Sequence, residues 1–450
     1  MNIFLSIPPS FAGRTRLWFA VICLASAPIE AIDVLGDTKS FHLTPFLLLS
    51  MLYALFLAVE QVTKRALGLS LPRFRLFDST SAAVALFILL IWTSVLFVSS
   101  DPRDVAVNRA IYSTWLILFA RIFVAREELL LPIIIARALR IFLVCDVIGV
   151  ATQLLIVLSQ WTLPGIVYGL AVRQVGNVLR PGGLVIDPNR SSVTIILFMG
   201  LAFFSKDYLR KANRVGRGYY VLGSILTLVT ISRTGVVALA IFAAIPFMRS
   251  RRKLKVLCAA LLALIVLGGI SIIYLQSTRT PGAIAEEAQN AVFSSDQRQA
   301  STSVHFQSIA SGLGEFFGNT KIFLIGAGWG TEYDFPFIKE TYDVGVGSGF
   351  DCQFVSIAVQ TGIAGLACML FLIAKPLLLG LEWRPLTFIV LWSCFFYQYH
   401  GDPFWWIAII TMTMPLASRL RDHGISAAAS SWSSPIASTA LIGEKSIEGA

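Results

Sequence analysis

The chain has 450 residues, 56% of them hydrophobic, and a mean hydropathy of +0.75. Only 14% are charged, against about 25% in an ordinary soluble domain, too few to cover the surface of a water-soluble globule of this size. That excludes a cytosolic enzyme, a nucleic-acid binder and a disordered chain, and makes the placement of the net +10 charge more informative than its size, because Lys and Arg collect on the cytoplasmic side of membrane proteins.

Crossing a hydrocarbon layer about 30 Å thick takes about 20 apolar residues as helix. The sequence predicts an all-α polytopic membrane protein with twelve spans, near 16–33, 42–60, 79–99, 106–125, 140–159, 191–205, 218–232, 234–248, 255–275, 352–373, 386–399 and 404–418. Arg14 and Arg16 precede the first run, and no convincing small-residue cleavage site follows, so it reads as an uncleaved first span. The runs 218–232 and 386–399 are short, and the former meets its successor at Ser232-Arg233-Thr234, which reads as a tight hairpin. With a cytoplasmic N-terminus, the inner segments hold 25 of the 36 basic residues and the outer segments 16 of the 26 acidic ones. This asymmetry predicts both termini inside. The transmembrane domain is expected over 1–422, and the Ser- and Ala-rich 423–450 as a flexible cytoplasmic tail. An inverted-repeat transporter should show matching interrupted helices in its halves; one interrupted region, around Ser232, is visible. The six cysteines, Cys23, Cys145, Cys258, Cys352, Cys368 and Cys394, are scattered and predict neither a disulfide framework nor a zinc site.

Two outer segments, about 160–190 and 276–350, exceed the length of simple connectors, and such connections usually carry function. Arg180 sits in Arg180-Pro181-Gly182-Gly183, before Asp187-Pro188-Asn189 opens the next helix. The glycines let backbone approach a ligand, while Asp187, Asn189 and the proline suit a helix start; a well-capped helix beside an arginine fits equally well. Arg233, at the tip of the expected hairpin, makes an anion clamp, with a snorkelling arginine as the plain alternative. Arg298 and the weaker candidate Arg279 lie in the large outer segment and, taken alone, read as surface arginines. Guanidinium groups bind phosphate oxygens in a fork, and several converging outside the membrane suit a diphosphate. No carboxylate cluster with calcium or magnesium spacing accompanies them, so neither metal nor cofactor is expected.

The runs Gly326-Ala327-Gly328-Trp329-Gly330 and Val344-Gly345-Val346-Gly347-Ser348-Gly349 lack the Gly-Lys-Ser/Thr of a nucleotide loop and read as flexible turns closing a lid. Asp351 begins the helix after the large segment, as a cap or, with its pKa tuned by burial, a general base. His400 and Asp402 sit on the short outer turn Tyr399-His400-Gly401-Asp402-Pro403; both are candidate site residues, with His400 alone reading as an interfacial polar residue.

Taken together, these stretches resemble the O-antigen polymerase and O-antigen ligase superfamily of bacterial envelope enzymes. The Arg180 segment resembles the family's Arg-x-x-Gly with a following Pro-Asn helix start, and Ser232-Arg233-Thr234-Gly235 its Ser-Arg-Gly/Thr motif. Arg298 with the later Gly326-Ala327-Gly328 resembles its large-loop Arg and Gly-x-Gly. The ligase pattern of His-Asn/Ser/Gln, nine residues and Gly-x-x-Gly is matched in part, with Asp351-Cys352 at the place of the pair, then the nine residues Gln353 to Thr361, and Gly362-Ile363-Ala364-Gly365. Aspartate stands where ligases have histidine, which favours the polymerase branch for O-antigen, capsule or exopolysaccharide. The match covers roughly 170–418.

The resemblance implies a metal-independent glycosyltransferase of the bacterial inner membrane, moving glycan en bloc from undecaprenyl diphosphate to another lipid-linked repeat unit at the periplasmic face. It implies Arg180, Arg233 and Arg298 as diphosphate ligands; from the residues alone Arg279 is a weaker candidate ligand, and Asp351, as base, with Arg298 are the candidate catalytic residues. Its partners would be the lipid-linked oligosaccharide, membrane lipid, a polysaccharide flippase and a chain-length regulator. The alternatives are a ligase joining polymer to lipid A core and a transporter for a lipid-linked oligosaccharide, whose interior charges would be Glu30, Asp146 and Arg233.

Overall fold

The computed structural model describes residues 11–32, 43–68, 78–97, 103–159, 173–175, 178–185, 187–248, 295–331, 335–336, 338, 350–381, 383–399 and 401–415. The span expected near 255–275, Arg279, Cys258, His400, the glycine run 344–349 and the tail 423–450 lie outside the described residues.

Every expected span within the described residues forms a helix: α1 (Phe11–Ser26), α2 (Pro45–Ala66), α3 (Ser79–Phe97), α4 (Arg103–Arg126), α5 (Leu131–Ser159), α6 (Pro188–Ser205), α7 (Arg217–Val229) and α8 (Arg233–Met248). The large outer segment contributes α9 (Ser295–Gly318) and α10 (Thr320–Ile325), and the chain continues with α11 (Gln353–Leu378), α12 (Arg384–Cys394) and α13 (Pro403–Met412). Among the described residues, apart from these helices and short 3₁₀ turns, one two-strand antiparallel ribbon forms, β1 (Arg173–Val175) with β2 (Val178–Arg180), pairing Arg173 with Arg180. α5 starts earlier than the apolar run suggests, so Arg137 and Arg140, expected in a connector, are helical.

The helix starts follow local chemistry. Thr44, Asp187 and Asp402 cap α2, α6 and α13, each accepting from backbone N–H groups of the first turn and each followed by proline. Proline gives up no hydrogen bond there, because the first amides of a helix have no internal partner. Lys64 and Arg65 close α2 at its negative dipole end.

Helices α2, α3, α11 and residues 106–126 of α4 are long and apolar enough to cross a membrane. Their outward side chains agree: Leu55, Val59, Leu89, Leu96, Ile111 and Leu370 are all exposed. Contiguous apolar surface of this kind is rare on a water-exposed monomer, and the chain is a membrane protein.

Polar side chains gather at two levels. At one, the start of α1 meets the ends of α2 and α4: Arg16 pairs with Glu127 at 2.6 Å, Arg126 with Glu60 at 3.0 Å, and Tyr53 Oη donates to Glu127 at 2.5 Å. There too the start of α3 meets α4 and the ends of α11 and α13, through Arg121–Asp78 at 3.1 Å, Lys375 to Ser79 at 2.9 Å and Thr80 to Thr413 at 3.1 Å. At the other level the end of α1 meets the starts of α6 and α13, where Arg190 pairs with Glu30 and Asp402. Helices α1 to α4 therefore alternate in direction, and α6, α11 and α13 run the same way as α2 and α4.

Glu127 is fully buried, and truncating it leaves the Arg16 guanidinium only the longer 3.9 Å contact with Glu60 and takes the acceptor from the Tyr53 hydroxyl. Glu127→Ala should cost about 3–5 kcal/mol, read as a lowered denaturation midpoint in detergent. Lys64→Ala, which removes a partly exposed partner of Glu60, should cost under about 1 kcal/mol.

Candidate functional site

The ribbon ends on Arg180, whose guanidinium is held by two other parts of the chain. Nε donates to the Thr230 carbonyl at 3.3 Å and Nη2 to Asn189 Oδ1 at 2.7 Å. Asn189 stands in the first turn of α6 and Thr230 just past the end of α7. Arg180 thus bridges the Pro-Asn helix start to the α7–α8 hairpin, and two of the arginine segments singled out in the sequence converge.

The hairpin is as tight as the sequence suggests. Ile231 takes the left-handed conformation, with φ of 51°, which for a β-branched residue costs about 1–3 kcal/mol and persists only where the surroundings enforce it. Ser232 Oγ then accepts from Gly235 N at 3.1 Å. A Cβ on Gly235 would stand 2.3 Å from Ser192 Cβ, so glycine lets α8 begin against α6. Arg233 is exposed in the first turn of α8, where free amides and the helix dipole add to its charge as an anion-binding end.

Behind Arg180 the loop is fixed from both sides. Gly183 N donates to Gln153 Oε1 at 2.9 Å and Leu184 N to Asp146 Oδ1 at 2.8 Å, both acceptors on α5. The Leu184 carbonyl accepts from Glu30 N and Ala31 N, each at 3.0 Å. Gly183 has φ of 63°, and a Cβ there would stand 2.0 Å from Asp146 Oδ1. Asp146, an interior charge on the transporter alternative, anchors this loop.

Asp187 caps α6 by accepting from Asn189 N at 2.8 Å and Arg190 N at 3.1 Å. Arg190 then turns to Glu30 at 2.6 Å, with Asp402 at 3.7 Å. Burial pushes the Asp402 carboxyl above its ordinary range, and Arg190 pulls it back. Arg190 Nε and Tyr399 Oη are among the buried polar atoms of the described residues that have no hydrogen-bond partner. Arg190 was not singled out from the sequence. Its partners are remote in sequence, and only its place directly after Asp-Pro-Asn hinted at it.

Asp351 lies at the same end of the bundle. Its backbone N–H donates to Ser308 Oγ of α9 at 3.2 Å. Gln398 donates to the Phe350 carbonyl, and Tyr399 N to Gln353 Oε1, tying the start of α11 to the turn that leads to Asp402. Cys352, one residue on, holds the N-cap position of α11. Arg298 is in the first turn of α9. At a rise of about 1.5 Å per residue, its backbone stands about 15 Å along that helix from Ser308.

The glycine run 326–330 is not the flexible turn the sequence suggests. α11 is broken at Gly362, with φ of 71° and ψ of −172°, and the run fills the break. Ala327 N donates to the Val359 carbonyl at 2.7 Å, Gly328 N to the Gln360 carbonyl at 3.2 Å, and Gly330 N to Gln360 Oε1 at 2.7 Å. Trp329 is fully buried, donating from its backbone to Ser94 and from Nε1 to Ser113, each at 3.1 Å. Arg109 donates to the Gly330 carbonyl at 2.5 Å. The segment is a wedge set into α3, α4 and α11. A second interrupted helix therefore joins the Ser232 region, one the sequence reading did not identify. Its signal was the glycine pair 362 and 365 inside an apolar run.

The chain matches no protein-family model and no curated protein.

A Cβ on Gly362 would stand 2.5 Å from the Leu324 carbonyl oxygen, in a conformation L-residues rarely adopt. Gly362→Ala should lower the denaturation midpoint in detergent by more than the about 1–3 kcal/mol of backbone strain alone. Gly314→Ala, on α9 with open space around it, should instead stabilise by about 0.4–1 kcal/mol.

Proposed function

We propose that the chain is a polysaccharide polymerase of the bacterial inner membrane, transferring glycan from undecaprenyl diphosphate onto another lipid-linked repeat unit. The proposed topology has twelve spans, both termini in the cytoplasm and the Arg180 end of the bundle facing the periplasm. Supporting it are the excess of basic residues in the inner segments and the gathering of helix ends at two levels. One observation carries the functional reading: the Arg180 guanidinium bridges the α6 start to the hairpin that bears exposed Arg233.

The chemistry follows from what such a donor needs. An acceptor sugar hydroxyl attacks the anomeric carbon of the donor glycan. The bond from that carbon to the diphosphate oxygen breaks, and undecaprenyl diphosphate leaves with the electron pair. A diphosphate is a good leaving group, so the barrier is lowered chiefly by stabilising its developing charge. Arg180 gives two of its five N–H donors to the protein, keeping the others for phosphate oxygens, and Arg233 adds a second cation with the α8 amides. The hydroxyl proton goes to Asp351, half-buried at the same end. Arg298 on α9 and Arg279 complete the proposed phosphate ligands.

Transport finds less support. A broken helix can expose carbonyls to an ion, but those at the α11 break already accept from Ala327 and Gly328.

In a polymerase-deletion strain, Arg180→Ala and Arg233→Ala at normal protein levels should each cut polymer synthesis by about 10²–10³-fold. Arg233→Lys should keep part of the activity and Arg180→Lys little, because an ammonium cannot span Thr230 and Asn189 as the planar fork does. Full polymer from Arg233→Ala would remove the clamp. Asp351→Asn should slow transfer by about 10²–10⁴-fold, and unchanged yield would remove its role as base. Single lipid-linked repeat units should accumulate in the deletion strain, whereas finished but unattached polymer would identify a ligase.

A further inference from the structure

Helix α9 is apolar on two sides, and the bundle covers only one. On the covered side, a Cβ on Gly312 would stand 2.3 Å from Val355 Cγ1 of α11, and Phe316 and Ser308 are buried. On the other side Phe306, Ala310, Leu313 and Phe317 recur at helical spacing. Phe306 is 66% and Phe317 69% exposed. From 306 to 318 the one charged residue is Glu315, which is half-buried. Gln307 is the exposed polar side chain of this stretch, and an apolar face that the bundle leaves uncovered belongs in an apolar surrounding rather than in water.

The bare face continues onto a surface that the membrane reading already assigns to lipid. Phe317 packs on Phe316 and Phe323, with ring centroids 5.0 and 6.3 Å away, and so joins α9 to α10. Leu324 and Ile325 of α10 are exposed, and their backbone lies against the break in α11, 2.5 and 2.8 Å from where a Gly362 Cβ would stand. Directly beyond the break, Ile363, Leu370 and Phe371 are exposed along α11, a helix long and apolar enough to span a bilayer. Lys321, exposed at the start of α10, is the charged group at this edge, and a lysine there reaches headgroup phosphate while its stem stays apolar.

We propose that α9 and α10 are seated in the membrane surface, with Phe306, Leu313, Phe317 and Leu324 among phospholipid acyl chains and Lys321 at headgroup level. The large outer segment is then in part an in-plane membrane element. It holds the helix that carries Arg298 at the depth where the diphosphate of a lipid-linked substrate would lie. The inference rests on α11 being a span and does not depend on the polymerase activity.

The full chain carrying Phe317→Cys, or separately Leu313→Cys, is labelled with a nitroxide and placed in phosphatidylethanolamine–phosphatidylglycerol vesicles. Collision with oxygen, which concentrates in hydrocarbon, is compared with collision with a water-soluble nickel chelate. The unsubstituted protein sets the labelling background. Leu55→Cys, on the outward face of α2, and Arg210→Cys, exposed in the connector after α6, set the lipid and water limits. Oxygen access matching Leu55→Cys, with loss of nickel access relative to Arg210→Cys, is expected at both positions. Nickel access like that of Arg210→Cys would overturn the proposal, with water as the surrounding. Low access to both reagents, or spin–spin broadening, would also overturn it, with protein or a second copy covering the face. Nickel access at Leu55→Cys would remove the membrane reading itself, a failure separable from that of α9 alone.

Discussion

Inside hydrocarbon no water is present to satisfy a backbone amide or carbonyl, so each must find its partner within the protein. α11 breaks that order at Gly362, and the rest of its surroundings follow from the need to repair it. The carbonyls of Val359 and Gln360 lose their helical donors and receive those of Ala327 and Gly328 instead. The repair demands close approach of two backbones, so Gly326 lies against Gln360 and Thr361, and Gly362 against Leu324 and Ile325, at contacts that no Cβ could enter. It also demands that the wedge be anchored. Trp329, packed edge-on against Phe87 at 6.0 Å and bonded to Ser94 and Ser113, locks it to α3 and α4.

The Arg180 end obeys the same accounting with different groups. A loop of Pro, Gly and Leu at the end of the bundle has several amides and carbonyls to satisfy. Asp146, Gln153 and the backbone of Glu30 and Ala31 supply the partners. What is left over is an arginine whose backbone cannot drift and whose side chain is held at two points. For electrostatic stabilisation of a developing charge, such fixity matters as much as the charge, because donors already in place need no reorganisation during reaction. The Glu30–Arg190–Asp402 group next to it ties the end of α1, the start of α6 and the cap of α13 together, giving that loop a rigid floor.

The helices of the expected spans within the described residues were legible because length and apolarity are local properties, and four of them are long and apolar enough to cross a membrane. So were the Asp187 and Asp402 caps and the Ser232 hairpin, where the residue types carry their own geometry. The glycine run 326–330 was misread for the opposite reason. Locally its glycines signal freedom, whereas their use here is to admit the backbone of α11, more than thirty residues later in the chain. The Arg190 pairs with Glu30 and Asp402 join residues 160 and 212 positions apart, and no periodicity records such a meeting. The convergence of Arg180 with the hairpin was legible only as an expectation about chemistry; the bonds to Asn189 and Thr230 are tertiary.

The position of Asp351 gains its meaning from the break as well. The first part of α11, from Gln353 to Thr361, is a short rod of about 13 Å at the usual rise. Its far end is fixed by the wedge. Its near end is tied to Ser308 of α9 through Asp351 N and to the 398–402 turn through Gln353 and Phe350. A rod fixed at both ends places its first residues with little freedom, whatever the remainder of the outer segment does. The base proposed at Asp351 would benefit from that placement, since misplacement by about 1 Å can cost about 10²-fold in rate. The short half-helix, the wedge that ends it and the α9 contact that begins it therefore act as one support for Asp351, and the glycines of the wedge are part of that support.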